Sequence, residues 1–274
     1  MELKLSKSVD PYLPRLEEKI CIARPSISFN DVGGLNEVKR KMKNIAICIK
    51  ESVHSQEDEV GNILLYGPHG NGKTSLACGV AKECGAGLIV FEDPQRYNCT
   101  AWGGPSWCDV ISAAFSKACK DKPCIILFED FDNLVEGSPR VKLQLLKEFE
   151  EKQSGVFVIA ETRKIELIDE DVLSKFNHRL EVKLPNRAER EEIIRIHLKK
   201  VSCKIANEEQ IIELLAIETE EFSGRMIAET IDKTVHSLIR DLYCYRTEGN
   251  VEIVNRNNFE EALNEMWRSK MMKG

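Results

Sequence analysis

With 274 residues, 42% of them hydrophobic and 31% charged, the chain is long enough for one large domain with a core, or a large domain with a smaller companion. The second is the expectation, and a formal net charge of −6 speaks against a dedicated nucleic-acid binder. Ten scattered cysteines without a C-x-x-C pair, a first stretch "MELKLSKSVDPYLP" with no apolar signal region, and no apolar run near the ~18 residues a membrane span needs point to reduced thiols in a cytoplasmic or nuclear protein that crosses no membrane.

In chain order, residues 1–25 read as a short leader containing Pro11, Pro14 and Pro25. The basic stretch "KRKMK" (39–43) reads as a solvated face of a helix. Short β-branched runs then alternate with helical segments as far as Pro185, the pattern of a parallel sheet with crossover helices. Expected strands are 62–67 "NILLYG", 87–93 "GLIVFED", 124–130 "CIILFED", 155–162 "GVFVIAET" and 180–184 "LEVKL". Most are apolar on both faces, as buried parallel strands are.

After Pro185 the strand signals stop. Three pairs, Asn186/Glu189, Asn207/Gln210 and Asn258/Glu261, resemble capping boxes with Asn as the cap, so residues 186–274 are expected to form an all-helical subdomain behind an α/β subdomain over 26–185.

The sharpest chemical signal is "GPHGNGKTS", which matches G-x-x-x-x-G-K-[ST] between an expected strand and an expected helix. Glycines let such a loop wrap its backbone N–H groups around phosphates, and the helix that follows adds the positive end of its dipole. Gly67, Gly70, Asn71, Gly72, Lys73, Thr74 and Ser75 are therefore the expected phosphate contacts. Lys73 would reach the β- and γ-phosphates, and Thr74 would hold Mg²⁺.

Further motifs extend this signal. "SISFNDVGGLNEVKRKM", "GPHGNGKT", "KPCIILFEDFDNL", "VIAET", "EREEIIRIHLKK", "EEFSG" and "NFEEALNEM" resemble, in order and spacing, the ATPase domain of the AAA family within the AAA+ proteins, over about residues 26–270. The resemblance implies an α/β fold: a P-loop NTPase parallel sheet with flanking helices and a small C-terminal helical subdomain. ATP and Mg²⁺ are the implied cofactors. Asp31, Val32 and Gly33 would lie against adenine, His197 near the adenosine, and Gly224 would close on the nucleotide; for His197 a purely structural place on an amphipathic helix is the alternative.

In translocases of this family an aromatic-x-Gly pore loop grips an unfolded polypeptide in the channel of a hexamer. "TAWGG" puts Trp102 and Gly104 in that place; the alternative is that Trp102 and the nearby Trp107 only pack a loop. The implied partners are a homo- or hetero-oligomeric ring and a polypeptide substrate.

Three positions depart from the family pattern. AAA enzymes usually end the second-acid strand in Asp-Glu, the Asp assisting Mg²⁺ and the Glu polarising the attacking water, whereas this chain has Glu129 in the metal position and Asp130 in the other. Each carboxylate is then displaced by roughly 1 Å, a misplacement that can cost about 10²-fold. Arg163 follows Thr162 where a polar sensor, usually Asn, is expected. Before "FNHRL", where arginines reach a neighbouring subunit's site, stand Leu173, Ser174 and Lys175, with Arg179 as a stand-in. Two readings follow: a working, ring-forming protein remodeller with weakened hydrolysis, or a nucleotide-binding scaffold or regulatory subunit of a mixed ring. A kinase or a DNA-acting motor with the same loop would need substrate motifs that this chain lacks.

Overall fold

The computed structural model describes residues 13–55, 60–91, 106–201, 204–205, 207–245, 253–254, 257, 259–261 and 263–264. They group into two compact units. The first takes in Lys39–Gly67 and Lys73–Glu181 with the described residues up to Ser28; the second takes in Phe29–Val38, Pro68–Gly72 and the described residues from Val182 onward.

The first unit is built on five parallel strands: β1 (Asn62–Tyr66), β2 (Gly87–Phe91), β3 (Cys124–Phe128), β4 (Val156–Thr162) and β5 (Phe176–Glu181). Their spatial order is β2-β3-β4-β1-β5. Every residue of β3 and of β4 is buried, which is why β3 reads as an unbroken apolar run and β4 as one interrupted only at Glu161 and Thr162. Its helices are α1 (Leu13–Lys19), most of α2 (Asn36–Ser55), α3 (Lys73–Cys84), α4 (Trp107–Lys120), α5 (Phe131–Glu136), α6 (Pro139–Glu151) and the single turn α7 (Glu170–Leu173). The chosen starts have local causes: Ser106 and Asp109 form a capping box at α4, and Pro139 opens α6, where its missing N–H costs nothing.

A run of rings fixes the end of β3. Phe91 stacks on Phe128 at 4.8 Å, Phe128 meets Phe131 at 5.9 Å, and Phe176 packs edge-on against Phe131 at 5.5 Å and Phe149 at 5.8 Å. Phe128 and Phe131 are fully buried, so the two residues between them, Glu129 and Asp130, are held at a rigid strand-to-helix corner. The segment read as a leader packs here too: Leu16 and Ile20 are buried in this core, Ser116 Oγ donates to Glu17 Oε1 at 2.6 Å, and Lys120 pairs with Glu17. Ala23 bridges Leu88, so the free edge of β2 is partly covered.

In the second unit, α8 (Arg187–Leu198), α9 (Glu208–Glu218) and α10 (Gly224–Tyr245) enclose a core of Ile194, Ile211, Leu215, Phe222, Ile227, Ile231 and Phe259. The expected capping box at Asn186 and Glu189 is present in full. Asn207 precedes α9 but sits in the left-handed region and makes no side-chain cap, and Asn258 lies outside the described residues. The expectation of an all-helical tail needs one correction, since β6 (Lys204–Ile205) and β7 (Ile253–Val254) form a short parallel pair. The expected strand at 180–184 is also corrected, to Phe176–Glu181. As an edge strand it buries only Phe176 and Leu180, which hides it in the sequence.

Candidate nucleotide-binding site

The segment between β1 and α3 carries the phosphate-loop signature. Gly67, Gly70 and Gly72 have φ of 139°, 80° and 86°, so each backbone adopts a conformation that side chains resist. Lys73 and Thr74 open α3, and Ser75 follows them, partly buried. Lys73 Nζ donates to Gly67 O at 2.8 Å, folding the ammonium back over the loop. Burial lowers the Lys73 pKa, while nearby carboxylates, Glu161 first, favour its charge.

The acids sit close by in the first unit. Phe128 of β3 pairs with Ala160 of β4, so the residues that follow, Glu129 and Glu161, emerge side by side on one face of the sheet. Glu161 also pairs in register with Leu65 of β1, the strand that feeds the phosphate loop. Its carboxylate accepts a hydrogen bond from Thr74 Oγ1 at 3.1 Å and is only 5% exposed. Burial, reinforced by the charge of Glu129, pushes the Glu161 pKa up to about 8. The sequence reading did not single out Glu161. The available signal was a lone acid near the end of an otherwise apolar expected strand.

Asp130 adopts φ 43°, ψ 48°, a left-handed conformation that Asp tolerates better than most residues. Its Oδ1 lies 3.2 Å from Arg163 Nε, so two residues expected in hydrolysis are paired with each other. The third acid of the corner, Asp132, is buried and accepts from Thr162 Oγ1 at 2.7 Å, tying α5 to the end of β4. Lys175 pairs with Glu150 at 2.7 Å; Arg179 donates to Leu173 O at 2.7 Å and lies 3.7 Å from Glu170. Both stand at β5, which β4 and β1 separate from β3, so they are not brought to this chain's own Glu129 and Asp130.

The second unit holds the other expected residues. Asp31 ends a short 3-10 turn and is exposed, whereas Val32 is buried. A Cβ on Gly33 would stand 2.6 Å from the backbone of Ile193, so this glycine is required by the close approach of α8. Two carboxylates of α8 fix the same turn: Gly34 N donates to Glu192 Oε2 at 2.9 Å and Leu35 N to Glu189 Oε1 at 2.8 Å. Loop residues 68–72 are fastened at the start of α10, where Arg225 N donates to Gly70 O at 2.8 Å and Gly224 N to Asn71 Oδ1 at 3.3 Å. Val32 flanks this loop: its Cγ1 is 3.6 Å from where a Gly72 Cβ would stand. His197 is half-buried on α8, and burial lowers its pKa. Trp102 and Gly104 lie outside the described residues.

Two buried polar atoms without hydrogen-bond partners test whether this machinery suits its expected ligands. Asn71 Nδ2 is a donor on the phosphate loop, as an anion would need; Glu161 Oε1 is an acceptor beside Thr74, as a cation would need. The first suits a phosphate and the second a divalent cation, each within its own unit.

The model of the family described as "ATPase family associated with various cellular activities (AAA)" matches residues 63–184. A Plasmodium falciparum protein named as a cell division cycle ATPase is 32% identical over 234 residues, 79% of this chain and 19% of that protein. The ATP-dependent zinc metalloprotease FtsH of Mycoplasma pneumoniae is 28% identical over 88% of this chain and 35% of its own length. The crystal structure of the FIGL-1 AAA domain shares the fold, with a TM-score of 0.75 at 23% identity over 94% of this chain and 90% of that one. This chain spans well under half the length of these two curated relatives. Among the described residues no helix is long and apolar enough to cross a membrane. The chain carries an ATPase domain of the AAA family.

Proposed function

We propose that this chain binds ATP with Mg²⁺ through the phosphate loop and hydrolyses it slowly, as a subunit of an AAA ring that acts on a polypeptide. The observation that carries the slow-hydrolysis reading is the Asp130–Arg163 ion pair. In the family pattern position 130 holds the acid that polarises the attacking water, and a carboxylate held by a guanidinium is less free to turn toward that water. Lys73 and the loop N–H groups would hold the phosphates, and Thr74 with an acidic side chain would hold the metal. When bound, Mg²⁺ neutralises charge on the phosphate oxygens. Gly33, Val32 and Asp31 would meet the adenine, with His197 close to the adenosine and Gly224 at the loop.

The test is steady-state ATPase measurement on the purified protein, alongside binding of a fluorescent ATP analogue. Tight binding with slow turnover supports the proposal.

One observation favours the second reading, a scaffold or regulatory subunit of a mixed ring. Lys175 and Arg179, the candidates for reaching a neighbour's phosphates, are engaged with Glu150, Glu170 and Leu173 of their own chain. Sedimentation with and without ATP separates the two. Assembly driven by ATP supports a homotypic ring; a monomer under both conditions supports a subunit that depends on a partner.

A further inference from the structure

Among the described residues of the first unit, Glu161 is costly to explain as structure alone. A carboxylate at 5% exposure, in a strand whose other members are apolar or paired, loses most of its hydration. One oxygen accepts a hydrogen bond from the Thr74 hydroxyl, and the other has no hydrogen-bond partner. The charge of Glu129 adds to the penalty and that of Lys73 only partly offsets it. A divalent cation beside Thr74 would remove both deficits at once, by neutralising the neighbouring carboxylates and by giving Oε1 a partner, directly or through a bound water.

The direction of the Thr74 hydrogen bond fits the same answer. A hydroxyl has one proton and two lone pairs, so by donating its proton to Glu161 Oε2 Thr74 keeps its lone pairs for a metal. The acid that performs this orientation is on β4, next to the phosphate-loop strand β1, whereas Glu129 projects from β3, one strand farther from the loop.

We infer that Glu161, in place of an acid at the end of β3, is the metal-side carboxylate of this site and serves a divalent cation bound with nucleotide at Thr74. The inference rests on the nucleotide-binding reading above. It makes Glu161 a positioning residue for Thr74 as well as a counter-charge for the cation.

The experiment measures the affinity of the purified chain for a fluorescent ADP analogue, once in EDTA and once in Mg²⁺, and compares Glu161→Gln with Glu129→Gln. Wild type should bind more tightly in Mg²⁺. Glu161→Gln should bind like wild type in EDTA yet lose about 10-fold or more of the Mg²⁺ enhancement, the size expected when a metal site loses a supporting carboxylate. Glu129→Gln should lose distinctly less. An unchanged enhancement in Glu161→Gln, or an equal or larger loss in Glu129→Gln, overturns the assignment. If Glu161→Gln also fails to bind in EDTA, Glu161→Asp decides: an enhancement that survives in part supports the assignment, and normal EDTA binding with full enhancement despite the shortened side chain overturns it. If wild type binds the probe in neither condition, the nucleotide-binding reading itself fails.

Discussion

Asp130 Oδ1 and Arg163 Nε lie 3.2 Å apart, although 33 positions separate the two residues, because β3 and β4 are neighbours in the sheet and each residue follows the end of its strand. The pair is about half exposed on both sides. Its contribution to stability is therefore small, under about 1 kcal/mol, and the consequence proposed for it is chemical.

Arg163→Asn should release Asp130 and raise ATP turnover, by about 3- to 10-fold, well short of the 10²- to 10⁴-fold that a fully competent general base supplies. The midpoint of chemical denaturation should barely move. A single-turnover ATPase assay checks the rate, and a rate at or below that of the unaltered chain would count against the role proposed for the Asp130–Arg163 pair.

Exchanging the acids, Glu129→Asp with Asp130→Glu, should gain less than Arg163→Asn does. Position 130 holds φ 43°, a left-handed conformation that Glu tolerates less well than Asp, so Glu there pays more of the roughly 1–2 kcal/mol penalty. Denaturant unfolding should show that loss, and turnover of the double variant compared with Arg163→Asn tests the order.

Much of the α/β unit was legible because its strands are buried on both faces, so β1 to β4 appear as apolar runs at nearly their true bounds. The edge strand β5 was misplaced by several residues, because exposure on its free side dilutes the signal and Asn177, Arg179 and Glu181 interrupt it. The phosphate loop was legible from its glycines. Glu161 and the Asp130–Arg163 pair were not, since both depend on which strands are adjacent. No run of letters shows that β4 lies between β3 and β1. Gly33 was read as a nucleotide contact; the structure adds a packing reason for it against Ile193.

Gly33→Ala should therefore destabilise the fold whether or not nucleotide is present. The added methyl would meet backbone atoms of Ile193 at 2.6 Å, which cannot move as a side-chain tip can, so a cost of about 1–3 kcal/mol is expected. Urea unfolding in the absence of nucleotide measures it; an unchanged midpoint would mean that the turn and α8 separate easily.

Lys73→Ala should weaken binding of a fluorescent ATP analogue by at least about 10-fold, from the ~1.5–3 kcal/mol typical of hydrogen bonds to charged groups. Far-ultraviolet circular dichroism should stay unchanged, because the substitution leaves the backbone of α3 in place and Ala is a strong helix former. Undiminished affinity in this folded variant would sink the phosphate-loop assignment.

The central claim, that this AAA domain binds ATP while Arg163 and the Glu129-Asp130 order hold its hydrolysis back, is tested most directly by steady-state turnover of the unaltered protein at saturating ATP and Mg²⁺, measured at concentrations where its assembly state is known. The account predicts a turnover number well below about 1 s⁻¹, the lower end of the range common for enzymes. Turnover at or above about 1 s⁻¹ would contradict it, because the paired Asp130 would then be no impediment to the chemistry.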